Sequence, residues 1–147
     1  SIFVLRGASV FFADLIRRID VPMKIDSIAA ASYGDATKSS GTVRIDKDID
    51  TVIEGKNVLL VEDIIDTGLT LNYLKTYFLS QKPASFKIVT LLDKPATRKV
   101  AITADYNGFT VGNEFVVGYG LDYAQLFRNL GYIGIPKDYV WNDEAKE

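Results

Sequence analysis

The residues with the most chemical content stand together as Glu62-Asp63-Ile64-Ile65-Asp66-Thr67-Gly68-Leu69-Thr70, directly after the apolar run Val58-Leu59-Leu60-Val61. Four consecutive apolar residues read as a strand buried on both faces, the kind found in parallel sheets. The small and hydroxyl-bearing residues that follow predict a turn into a helix, where backbone N–H groups and the helix dipole favour an anion. Asp66, Thr67, Gly68, Leu69 and Thr70 can therefore cradle a phosphate through their amides and the two hydroxyls, with Gly68 allowing close approach. The turn lacks the Gly-Lys-Ser/Thr ending of a P-loop, which argues against an NTPase. A plain capped turn is the competing reading, since Asp and Thr commonly cap helices. Glu62 and Asp63 are expected at the strand's end, turned toward sugar hydroxyls and a metal. The alternative of an exposed acidic pair sits poorly between Leu60-Val61 and Ile64-Ile65.

Further polar clusters follow other predicted strands. Ile2 to Leu5 reads as a strand broken by Arg6-Gly7, and Ala8 to Ile19 carries apolar residues at near-helical spacing. Ile25 to Ser32 is a second strand leading into Ser32-Tyr33, and the polar stretch from Tyr33 to Thr42 predicts a mobile loop. Val43 and Ile45 alternate with Arg44 and Asp46 as an edge strand. A helix is expected from about Thr70 to Leu79, and a buried strand from Phe86 to Leu92 that ends at Asp93-Lys94-Pro95. Alternating strands and helices with short links predict an α/β fold, an open and mainly parallel sheet flanked by helices. After Thr103 the texture becomes rich in glycine and aromatics. There Phe115-Val116-Val117 reads as a short strand and Asp122 to Leu130 as a short helix, together a small subdomain over the sheet. One domain over residues 1–147 is expected, lacking an amino-terminal segment because Ser1-Ile2-Phe3 already reads as core strand.

Composition narrows the chemistry. With 17 basic and 19 acidic residues the formal charge is −2, so neither duplex nucleic acid nor an anionic membrane is an expected partner. The expected ligand is small. The chain has no cysteine and no histidine, so acid–base work falls to carboxylates, Lys or Tyr, and a metal site must use oxygen ligands suited to Mg²⁺ or Mn²⁺. Absence of cysteine fits a reducing cytoplasm. No apolar run reaches the roughly 20 residues of a membrane span.

The strand with Glu62-Asp63-Ile64-Ile65-Asp66-Thr67-Gly68 resembles the signature of the type I phosphoribosyltransferases, which take phosphoribosyl pyrophosphate (PRPP) as donor, and its form is similar to the hypoxanthine-guanine branch. The resemblance runs from Leu5 to about Gly134, and the tail Gly131-Tyr132-Ile133-Gly134 looks closest to bacterial-type members. It implies that Glu62 and Asp63 meet the ribose hydroxyls directly or through Mg²⁺, that Ile65 belongs to the PRPP and nucleotide site, and that Asp66, Thr67, Gly68, Leu69 and Thr70 bind the 5′-phosphate. Asp66 is implied as the base that takes the purine N7 or N9 proton, a role that speaks for a 6-oxopurine because adenine and orotate members usually carry Ala there.

By the same resemblance Lys94 donates to the 6-oxo oxygen, Phe115 stacks on the purine, Val116 offers backbone groups to its edge, and Asp122 helps hold a pyrophosphate-side Mg²⁺. A solvated Lys and a core Phe are the ordinary alternatives. Arg6, Gly7 and Arg128 are implied for pyrophosphate, although members often have Lys where Arg6 stands. Ser32 and Tyr33 match the closing loop that keeps water from the reacting carbon. The Leu5-Arg6 peptide can be cis in this family. A homodimer or homotetramer is implied as well. Two other readings remain, a nucleotide-sensing regulator of RNA or DNA and an enzyme for xanthine or adenine. The weak basic character disfavours the first, and Lys94 disfavours adenine.

Overall fold

The computed structural model describes residues 1–33 and 42–137. Six strands form one sheet: β1 (Ile2–Leu5), β2 (Asp26–Tyr33), β3 (Thr42–Lys47), β4 (Asn57–Ile65), β5 (Ser85–Asp93) and β6 (Tyr106–Thr110). Their order is β3-β2-β1-β4-β5-β6, and only β3 runs antiparallel to its neighbour. The expected open, mainly parallel sheet is therefore found, with β3 at one edge as its alternating pattern requires.

Side-chain alternation along the strands divides the core in two. Ile2 and Val4 of β1, Val58 and Leu60 of β4, and Ile88 of β5 pack on one face against helix α2 (Leu69–Ser80) through Leu71, Leu74 and Phe78. Phe3, Leu59, Val61 and Val89 take the other face and pack on helix α1 (Ser9–Ile16) through Phe11, Phe12, Leu15 and Ile16. Phe3 and Phe12 stack with ring centroids 4.3 Å apart. The continuous apolar run in β4 thus feeds both layers, which places β4 near the middle of the sheet.

Several boundaries differ from the expectations. Helix α1 stops at Ile16 rather than Ile19, because Arg18 and Ile19 donate to Leu15 and Ile16, three residues back, and tighten the last turn. Strand β4 does not end before the acids but runs through them to Ile65, with Glu62, Ile64 and Ile65 paired to Thr90, Leu92 and Asp93 of β5. Residues 106–110 join the sheet as β6, where a separate subdomain was expected to begin. Every residue of β6 is exposed, so it lacks the apolar run that marks a buried strand.

Phe115 to Val117 forms no strand. Val117 makes one isolated bridge with Gly134. Asp122 to Leu130 forms no helix, since Ala124, Gln125 and Phe127 adopt φ of 48°, 69° and 73°, incompatible with a right-handed turn. Asp122 still behaves like a capping residue and accepts the Gln125 amide at 2.8 Å, but the chain folds back instead of winding on. This tail packs on the sheet through Leu91, Leu92, Val116, Leu121 and Ile133, and Tyr119 donates its hydroxyl to Asp14 of α1.

Candidate active site

In a parallel sheet the chain leaves every parallel strand at the same end, so Arg6-Gly7 after β1, the Glu62 to Thr70 segment at the end of β4 and Lys94 after β5 gather at one edge. Ser32 and Tyr33 end β2 at that edge, paired with Val43 and Thr42, so they are strand residues of a hairpin and not loop. Of the expected closing loop, Ser32 to Thr42, residues 34–41 lie outside the described residues.

Glu62 is 7% exposed and Asp63 is half-buried. The Asp63 amide donates to Glu62 Oε1 at 3.3 Å and the Ile64 amide to Asp63 Oδ1 at 2.9 Å. Burial pushes the Glu62 carboxyl well above its ordinary value, and the adjacent Asp63 charge adds to that. Burial also raises Asp63, against the opposing pull of the hydrogen bond with Glu62, local amides and the Arg128 charge. Gly7 is packed so closely on Asp63 that a Cβ there would sit 1.6 Å from Oδ2. Any side chain at position 7 would displace the carboxylate.

The pair is an oxygen donor set short of partners, to which a Mg²⁺ ion would bring positive charge and a diol two hydroxyl donors. Among the described residues no three carboxylates gather tightly enough to enclose a metal. Such a site suits Mg²⁺, which keeps waters and completes its shell with substrate oxygens. Asp122 is engaged elsewhere, by Arg128 at 2.8 Å.

Past Ile65 the chain turns through Asp66 and Thr67 to Gly68, whose φ of 81° and position as the residue before α2 require glycine. The Asp66 side chain is exposed and makes no hydrogen bond within the described residues. Leu69 donates to Thr67 Oγ1 at 3.4 Å, and Thr70 lies in the first turn of α2. Lys94 is 7% exposed; its amide donates to the Ile65 carbonyl at 3.0 Å, which ties it to the end of β4.

The remaining predicted residues fall on the tail and the β1 turn. Phe115 is 48% exposed, its ring edge-on to Tyr123 with centroids 6.0 Å apart, a surface platform rather than core. Val116 packs against the Leu91-Leu92-Leu121 cluster. The Leu5-Arg6 peptide is cis. Arg6 and Arg128 converge on the Gln125 side-chain carbonyl, at 3.4 and 3.2 Å, while Arg128 also donates to Gly120 O at 2.7 Å. Arg128 Nε is buried with no hydrogen-bond partner among the described residues. Gln125 was not foreseen, because nothing in the expected helix set it apart. Also unforeseen was Arg98, which donates to the Asp66 carbonyl at 3.1 Å and pairs with Asp93.

An open, mainly parallel sheet with an acid pair and a glycine turn at the carboxyl end of a central strand is the arrangement expected of the phosphoribosyltransferases. The comparisons with known proteins agree. Residues 2–124 match the phosphoribosyl transferase domain, and the chain belongs to that family. It is 55% identical over 141 residues to the hypoxanthine-guanine phosphoribosyltransferase of Bacillus subtilis, covering 96% of this chain and 78% of that protein. It is also 55% identical over 140 residues to the bifunctional protein TilS/HprT of Listeria innocua, covering 95% of this chain but only 22% of that protein. A crystal structure of a hypoxanthine phosphoribosyltransferase from Staphylococcus aureus superposes with a TM-score of 0.92 at 48% identity, over 95% of this chain and 76% of that one.

Proposed function

We propose that this chain transfers the phosphoribosyl group of PRPP to hypoxanthine or guanine, giving IMP or GMP and pyrophosphate. The observation that carries the reading is the run from Glu62 to Gly68: a buried Glu62 and a half-buried Asp63, both with raised carboxyls, leading straight into a glycine turn with an exposed Asp66 whose side chain has no partner among the described residues. Ribose hydroxyls would meet the acids while the 5′-phosphate meets the turn. The anomeric carbon would then lie between the ribose hydroxyls and the purine.

In the reaction the bond from that carbon to the pyrophosphate oxygen breaks, the oxygen keeping the electron pair, and a bond to the purine nitrogen forms. The displaced purine proton passes to Asp66. Lys94, buried and without a side-chain partner among the described residues, is suited to donate to a 6-oxo oxygen. An adenine amino group at that place would leave the ammonium unpaired. Phe115 offers a face for the base, and Arg6 is exposed at the mouth for the leaving pyrophosphate. Arg128 would serve there only by sharing its present partners. Mg²⁺, held by Glu62, Asp63 and on the pyrophosphate side Asp122, would neutralise the accumulating phosphate charge. The rest of the barrier falls by positioning and electrostatic stabilisation. A cytoplasmic enzyme acting as a homodimer or homotetramer belongs to the same proposal, the assembly being readable by light scattering.

Incubation with PRPP, Mg²⁺ and each of hypoxanthine, guanine, xanthine, adenine and orotate, following pyrophosphate release, tests the reading. Turnover with hypoxanthine or guanine is expected, and turnover only with adenine or orotate rejects it. Asp66→Asn should lower kcat by roughly 100-fold, the usual size of a lost general base, while PRPP affinity holds. An unchanged rate in that variant removes Asp66 from its role.

A further inference from the structure

The turn from Ile65 to Gly68 is gripped from behind by residues 94–99, a segment from which the proposed reaction uses only the Lys94 side chain. The Ile65 carbonyl accepts from the Lys94 amide at 3.0 Å and from Arg98 Nη2 at 3.4 Å. The Asp66 carbonyl accepts from Arg98 Nε at 3.1 Å, and the Thr67 carbonyl from the Lys99 amide at 2.9 Å. Three consecutive carbonyls are thus drawn toward residues 94–99. In a trans peptide the C=O and the following N–H point in opposite directions. Each carbonyl held on that side therefore turns the next amide, of Asp66, Thr67 and Gly68, away from it.

Arg98 is the side chain in this grip; the other donors are backbone amides. Its own place is fixed by the Asp93 carboxylate and the Ile102 carbonyl, and it is 14% exposed. The aliphatic stem lies under Gly68, where a Cβ would come within 2.9 Å of Arg98 Cδ. A planar guanidinium can serve the Ile65, Asp66, Ile102 and Asp93 acceptors at once because its donors form a rigid fork, which a Lys ammonium cannot reproduce. A charged donor on the carbonyl side of a peptide also polarises the amide on the other side.

We propose that Arg98 is a positioning residue: without touching the ligand, it aims and polarises the amides that hold the 5′-phosphate. Asp93 neutralises its charge and keeps it in place. The inference rests on the phosphoribosyl reading of this turn and extends it to a residue behind the turn.

The test compares wild type, Arg98→Met and Arg98→Lys as purified full chains, each checked by thermal melting. Affinity for GMP is set against affinity for guanosine, which lacks the phosphate, and KM for PRPP against KM for the purine base. Expected for Arg98→Met is a loss of roughly tenfold in GMP affinity, equal to about 1.4 kcal/mol, and a similar rise in KM for PRPP. Guanosine affinity and KM for the base should stay within about twofold, a selectivity that general loosening of the fold would not produce. Arg98→Lys should fall between, and it carries the same comparison if Arg98→Met does not fold. GMP affinity at the wild-type level in a folded variant, or equal weakening of GMP and guanosine, overturns the inference. Wild type failing to bind GMP at all is a different result, which rejects the phosphoribosyl reading and this inference with it.

Discussion

Asp26 and the Glu62-Asp63 pair are carboxylates at opposite ends of one sheet, and the chain treats them in opposite ways. Asp26 opens β2 and accepts the amides of Ser27, Asp50 and Thr51 at 2.7, 2.9 and 2.9 Å, with Lys47 Nζ at 3.6 Å. Burial pushes its carboxyl upward, but the amides of Ser27, Thr51 and Asp50 and the Thr51 side chain outweigh it and bring the pKa down to about 2. Glu62 and Asp63, at the carboxyl end of β4, each accept one local amide and face each other. Their carboxyls are raised. One end of the sheet is electrostatically complete, and the other is left for a ligand to complete. Stability is given up where binding is needed.

The largest effect should come from completing the wrong end. In the Glu62→Gln, Asp63→Asn double variant the amides cannot bind a metal or a diol as carboxylates do, and kcat/KM should fall by at least roughly 100-fold, about 2.7 kcal/mol. The free protein should nevertheless melt higher than wild type, because two acids whose charged forms are disfavoured by desolvation are gone. Calorimetry beside the pyrophosphate assay reads both. A lower melting temperature in the variant would break the contrast, by showing that the acids stabilise the fold as Asp26 does.

Asp26→Asn should do the reverse. It removes the charged acceptor from three amide hydrogen bonds and should lower stability by about 1–3 kcal/mol, read by urea denaturation. Its kcat/KM should stay within about twofold of wild type, since Asp26 lies at the far end of β2 from the candidate site. A large loss of turnover without loss of stability would mean that the two ends of the sheet communicate.

The difference between the ends also marks what the sequence made readable. The β4 motif was legible because strand, acids and turn follow one another locally, so residue type and spacing carried the site. The sheet's parallel order followed from the alternation of elements. The continuation of β4 through Glu62 and Asp63 was not legible, because paired acids ordinarily signal a strand's end, and only pairing with β5 holds them in it. Gln125 and Arg98 escaped for the same reason. Their roles arise from contacts made across the chain, Gln125 with Arg6 119 positions away and Arg98 with Asp66 32 positions away. The fold-back after Asp122 depends on positive φ at non-glycine residues, which residue type does not announce.

The smallest effect, and the sharpest, is the pH at which each end matters. Glu62 and Asp63 bind protons more tightly folded than unfolded, so between the ordinary values of 4.5 and 3.8 and their raised values the native state carries the extra protons. There stability falls as pH rises. Asp26 binds its proton less tightly when folded: its contribution is complete above 3.8 and is lost as pH falls toward about 2. Urea denaturation of wild type and both variants from neutral pH downward should therefore give two different profiles. The advantage of the Glu62→Gln, Asp63→Asn variant over wild type, on the order of 1 kcal/mol at neutral pH, should shrink on acidification and vanish near about pH 4. The deficit of Asp26→Asn should hold steady over that range and shrink only below it. A double-variant advantage that stays constant with pH would show that the acids are already compensated in the free protein, and the two ends of the sheet would then be alike.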